Sequence, residues 1–220
     1  METIFKWWLP YLILLPFIYL CVDEKKGLRL SVILLISTWI YFSLKNYIGV
    51  FTEDLPEKFP IDMLGGWVIG GVIFCGYFFI STQVETLLAK AGFRAGMIAC
   101  AAVSFIMILN QPAEEMLLLG GTLLGAGAGY YLNRKHIDFR SGASPEKTGA
   151  AKYLPLLVRF LLGITGLALI LTAIGKIIPQ DSANKNLYEF LRFALGGLWV
   201  CAGAPWVFVR LHLAETGKKQ

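Results

Sequence analysis

The stretch Leu154–Ile178, "LPLLVRFLLGITGLALILTAIGKII", decides the fold class. Its only charges are Arg159 and Lys176, and its length falls at the upper end of the roughly 17 to 25 apolar residues that cross a bilayer core as a helix. Pro155 stands in its first turn, where a missing N–H is tolerated. Working outward, comparable apolar runs cover Trp7–Val22, Leu28–Leu44, Met63–Ile80, Ala95–Leu109, Met116–Leu132 and Phe193–Leu213. The whole chain follows suit: 220 residues, 56% hydrophobic and only 16% charged, against about 25% charged in a soluble domain. Mean hydropathy is +0.63. Disorder, a disulfide scaffold and a collagen-like fibre are excluded. The expected fold class is all-α, a polytopic transmembrane helix bundle of about seven spans.

Charge placement orients the bundle. Lys25, Lys26, Arg29, Lys90, Arg94, Arg134, Lys135, Arg140, Lys147, Lys152, Arg210, Lys218 and Lys219 fall in connections of one side, against Lys6, Lys45, Lys58, Lys176, Lys185 and Arg192 on the other. The richer side is expected in the cytoplasm, with the N-terminus outside and the C-terminus inside, in a bacterial cytoplasmic membrane. Short basic connections of this kind are not a phosphate-tracking stripe, so nucleic acid is excluded as a partner. The N-terminal run lacks a small-residue cleavage site after it and reads as a retained helix.

The longest polar connection, residues 133–152, carries "RKHIDFRSGASPEKTG" and reads as a flexible basic cytoplasmic linker. It divides the chain into helices within 1–132 and a two-helix appendage within 153–220. Membrane lipids are the expected partners, with anionic or phosphate headgroups near the basic residues. Gly121, Gly125 and Gly129 recur at four-residue spacing and strip one helix face to backbone. That face suits close packing inside the bundle, or a homo-oligomer contact.

Residues able to carry chemistry are few. Cys21, Cys75, Cys100 and Cys201 sit in apolar runs without Cys-x-x-Cys spacing and read as buried thiols, with no disulfide, metal or cofactor implied. Arg159 reads as an anchor that snorkels to the interface. His136 and His212 have no carboxylate or second His at ligand spacing and read as surface residues; Glu114 and Glu115 follow Pro112 at a helix start.

One stretch is more specific. "EKFPIDMLGGWVIGG", Glu57–Gly71, resembles the third signature region of the type 2 phosphatidic acid phosphatase family, the lipid phosphatases and vanadium haloperoxidase-like enzymes. In that family a His precedes Phe-Pro-x-Asp and a Gly-Gly-Trp helix follows. "YLCVDEKKGLRLSVILLISTWIYFSLKNYIG", Tyr19–Gly49, is similar to the helices leading into its first signature. "LRFALGGLWVCAGAPWVFVRL", Leu191–Leu211, looks like the tail of a bacterial branch.

The resemblance implies a phosphoryl-transfer site facing the non-cytoplasmic side. A nucleophilic His, a second His as acid, Lys and Arg holding the phosphate and an Asp orienting the nucleophile would form it. Carried over residue by residue, Lys45 matches the first-signature Lys, and Thr52 and Glu53 stand where Arg-Pro should follow. The Pro-Ser-Gly-His of the second signature is absent. In the third, Asp62 matches the orienting Asp, while Lys58 stands at the nucleophilic His and Thr52 at the Arg. The first and third signatures have thus collapsed together, as in a member that lost a loop and two helices between them. Losing two spans preserves the orientation of the rest.

The expected function is therefore that of an integral membrane protein related to these lipid phosphatases and catalytically incomplete, with Lys45 and Asp62 vestigial. One alternative is a working phosphatase on lipid phosphates or diphosphates whose missing groups are supplied elsewhere. Another is a small carrier or channel, against which no span shows a file of polar residues.

Overall fold

The computed structural model describes residues 13–49, 71–72, 75–76, 93–110, 114–141, 154–177 and 184–214. Every extended element among them is helical. In chain order these are α1 (Ile13–Val22), α2 (Glu24–Gly49), α3 (Phe93–Asn110), α4 (Glu114–Leu132), α5 (Leu154–Ile177) and α6 (Lys185–Arg210). The all-α expectation holds. Among the described residues, two helices are long and apolar enough to cross a membrane: α5 over Leu154–Lys176 and α6 over its length. Of their apolar windows, 22% and 33% are buried inside the bundle, so most of that apolar surface faces outward. Of the seven spans expected, the structure supports these two; most of Met63–Ile80 lies outside the described residues.

Side-chain hydroxyls on these helices return to their own backbone. Thr38 donates to the Leu34 carbonyl, Thr165 to Leu161 and Thr172 to Ala168, each at 2.7 Å. That bond satisfies a polar group where no water is at hand.

Each described helix reverses the direction of the one before it except α3, which runs the same way as α2. Asp23 alone joins α1 to α2, and its carboxylate caps the second helix by accepting from the Lys25 and Lys26 N–H groups at 2.9 and 3.0 Å. Gly27 allows the tight return, since a Cβ there would lie 2.5 Å from the Tyr19 Cα. α3 runs back along α4, with Gly96 against Tyr131 and Gly120 against Ser104. α5 runs antiparallel to α6, with Gly166 against Trp199 and Gly175 against Arg192.

α4 and α6 run parallel and touch backbone to backbone. A Cβ at Gly121 would meet the Phe190 carbonyl at 2.5 Å, one at Gly125 would fall onto the Ala194 carbonyl, and one at Gly129 would meet the Cys201 Cβ at 2.7 Å. From the other side, a Cβ at Gly197 would lie 2.7 Å from the Thr122 carbonyl. The glycine face expected to be buried is therefore filled by α6 of the same chain, which accounts for these glycines by internal packing. Leu35 of α2, Met107 of α3 and Met116, Leu119 and Leu123 of α4 close a second core beside this pair.

Candidate functional site

These directions collect the described helix ends into two groups. At one end lie the α1–α2 turn, the start of α3, the C-terminus of α4, the start of α5 and the C-terminus of α6. This end carries Lys25, Lys26, Arg29, Arg134, Lys135, Arg140 and Arg210, all exposed, so connections far apart in sequence merge into one basic surface. Arg210 lies over the half-exposed Trp206 ring, 4.7 Å from its centroid, the pairing of cation and amphipathic ring that suits a membrane interface.

Beneath that surface sits a hydrogen-bonded junction that periodicity does not reveal. Three π-helical turns, Ile18–Val22, Asn133–Ile137 and Trp199–Gly203, meet through Tyr19, Asn133 and Cys201. Pro205 has no N–H to offer the Cys201 carbonyl four residues back, and the buried Tyr19 hydroxyl donates to that oxygen at 3.2 Å. Asn133 Nδ2 donates to the same hydroxyl at 3.2 Å, and Asn133 Oδ1 accepts from the Phe139 N–H at 3.1 Å. Asp138 makes the bend in a left-handed conformation, φ 49°, which Asp tolerates better than most residues. Phe139 then enters the core against Phe208.

Ser141 and Glu24 close the junction reciprocally. The Ser141 N–H and hydroxyl both donate to Glu24 Oε2, at 3.0 and 2.5 Å, while the Glu24 N–H donates to Ser141 Oγ at 2.8 Å. The first part of the expected flexible linker, residues 133–141, is thus tied down. Nothing in the sequence announced the partners on α1 and α2, which come from more than a hundred positions away. The Lys26 N–H, joined by that of Lys25, holds the Asp23 carboxyl below its ordinary value. The cap is accordingly at full strength above about pH 4 and weakens as pH falls through the lowered value.

Arg159 differs from expectation. It does not snorkel: it is 2% exposed, and its guanidinium donates from Nε to the Leu213 carbonyl at 2.7 Å and again from Nη2. Phe139 lies against it, 6.0 Å from ring centroid to Cζ. The Arg therefore pins the start of α5 to the chain leaving α6. Replacing Tyr19 by Phe should cost the same end of the bundle about 1 to 3 kcal/mol, because the Cys201 carbonyl and an Asn133 amide proton lose their partner in a buried site. Thermal unfolding in detergent measures this, and an unchanged midpoint would contradict the junction.

At the opposite end, Lys185 pairs with Glu114 at 3.4 Å across the starts of α6 and α4. Glu114 and Glu115 occupy the first turn of α4, as expected. Lys45 lies in the last turns of α2 and so belongs to this end. Thr52, Glu53, Lys58 and Asp62 lie outside the described residues. His136 and His212 are exposed at the basic end. Lys45 stands about 30 Å along α2 from that end at 1.5 Å per residue, so the chain's two histidines and this Lys occupy opposite ends. The four cysteines are free thiols, Cys21 and Cys201 buried, Cys100 partly so and Cys75 exposed. Among the described residues, no three His, Cys, Asp or Glu side chains gather as metal ligands would.

Residues 117–216 match the family model described as "PAP2 superfamily phosphatase, transmembrane extension". The matched segment begins on α4, crosses the junction at Asn133–Ser141 and runs beyond α6. It is the part of the chain built on the α4–α6 glycine contact. No curated protein and no solved structure matches the chain.

Proposed function

We propose that this chain, which belongs to the PAP2 superfamily through its transmembrane extension at residues 117–216, is an integral membrane relative of the phosphatidic acid phosphatase-type lipid phosphatases that hydrolyses no phosphate ester by itself. The observation that carries this reading is the separation of its histidines from Lys45. Phosphoryl transfer by this family's chemistry needs an imidazole as nucleophile and another as acid beside the cations that hold the phosphate. His136 and His212 are the chain's whole supply, and they lie at the other end of the helices. Lys58, at the nucleophile position, carries an amine in place of the family's imidazole.

The word phosphatase in the matched family's description supports the second reading, a working hydrolase on lipid phosphates whose missing groups come from another chain. Two measurements on the full chain test the first reading. Carbonate washing should leave the chain in the membrane pellet, and the purified protein should release no inorganic phosphate from phosphatidic acid.

The basic end is taken as the cytoplasmic end, from the excess of Lys and Arg gathered there. A cysteine placed at Ser144, in a Cys75→Ser background, should therefore resist an impermeant thiol reagent added to intact cells and react after lysis. Labelling of intact cells would reverse the orientation.

A further inference from the structure

We infer that the basic end and an apolar cleft beside it together hold one anionic phospholipid of the surrounding leaflet, its headgroup on Lys25, Lys26 and Arg29 and an acyl chain in the cleft. The inference rests on the membrane-embedded reading above and puts the lipid contact at the end away from Lys45.

The cleft is half-open, about 130 Å³, and lined chiefly by carbon, with Leu28 and Leu35 of α2, Ala126 of α4, Leu171 of α5 and Phe193 and Val200 of α6 among its walls. Three residues in its walls carry hydroxyls, Tyr19, Ser31 and Thr122, and two of these are engaged: Ser31 donates to the Gly27 carbonyl at 2.8 Å and Tyr19 to that of Cys201. Such a space is poor for water and suited to hydrocarbon. Its wall on α4 runs from Leu118 to Ala126, about 12 Å at 1.5 Å per residue, against roughly 15 Å for half of a 30 Å hydrocarbon core. Leu28, at one edge of the cleft, lies between Lys26 and Arg29 in sequence on the first turns of α2. A chain seated there brings its headgroup to those cations.

The acids nearby offset only part of that charge. Lys26 Nζ pairs with Asp23 Oδ2 at 3.9 Å and Glu24 binds Ser141, but among the described residues of this end Lys25, Lys26, Arg29, Arg134, Lys135, Arg140 and Arg210 outnumber Asp23, Glu24 and Asp138. The match of cations at the headgroup level with hydrocarbon walls below fits a diacyl lipid of negative charge and excludes a soluble anion as the preferred ligand.

The test uses the full chain in bilayer discs of phosphatidylcholine containing a minor share of phosphatidylglycerol, with retained lipid identified by native mass spectrometry. Phosphatidylglycerol should be enriched several-fold over its share. The enrichment should vanish in a Lys25→Gln, Lys26→Gln, Arg29→Gln triple variant and also in Ser31→Phe, whose ring fills the cleft. Should Ser31→Phe fail to fold, Leu34→Trp obstructs the same wall. No enrichment in the parent, or enrichment that survives either the charge variant or a folded cleft variant, overturns the inference. Carbonate-washed membranes from each strain keep this apart from the membrane-embedded reading, whose failure would empty the pellet whatever lipid is retained.

Discussion

Gly125→Leu is expected to leave little folded protein to purify. A Cβ at this position falls onto the Ala194 carbonyl, and the residues one turn either way, Gly121 and Gly129, are also in close contact with α6. The obstacle is backbone on both helices, so no rotamer change relieves it; α4 and α6 would have to separate along their length. Overpacking a core costs about 1 to 3 kcal/mol even when side chains can yield, and a domain has only about 5 to 15 kcal/mol in hand. Separation here would also open the core that holds Ala126 and Cys201. The readouts are yield in detergent and thermal midpoint, with Gly71→Leu as the control because a Cβ at Gly71 meets nothing within 4 Å. A Gly125→Leu protein that purifies and melts like its parent would contradict the α4–α6 contact.

The glycine spacing alone makes a close helix contact legible, since three glycines on one face invite a helix against them. The partner helix is not legible in the same way. α6 carries Gly196 and Gly197 between bulky neighbours, and their role appears only once Gly197 is seen against Thr122 and Ala126. The helical class is equally readable from the apolar runs. The count of spans is not, because α1 is short and α2 carries charges at both of its ends.

Arg159 and the junction around Tyr19 mark where local pattern gives out. An Arg near a helix start ordinarily reaches for water, and only the fold brings the Leu213 carbonyl within its grasp. The Pro205 that frees the Cys201 carbonyl is visible in the sequence, but the hydroxyl that satisfies it comes from 182 positions away. Family likeness is readable in the tail: Leu191–Leu211, which looks like part of a lipid phosphatase, lies inside the matched residues 117–216.

Hydrolysis of a phosphate ester is the sharpest point of decision. Turnover by enzymes exceeds the uncatalysed reaction by about 10⁶-fold or more, so a working site and an absent one differ by far more than any assay error. On the proposed reading Lys45 and Asp62 would still draw a phosphate headgroup, but attraction that is equal in ground and transition states yields binding without turnover. The most direct measurement is release of inorganic phosphate from phosphatidic acid and from a prenyl diphosphate by the purified full chain, beside a Lys45→Ala, Asp62→Ala double variant. Neither protein should release phosphate above the protein-free rate. Release by the parent that disappears in the double variant would contradict the incomplete site and establish a working phosphatase.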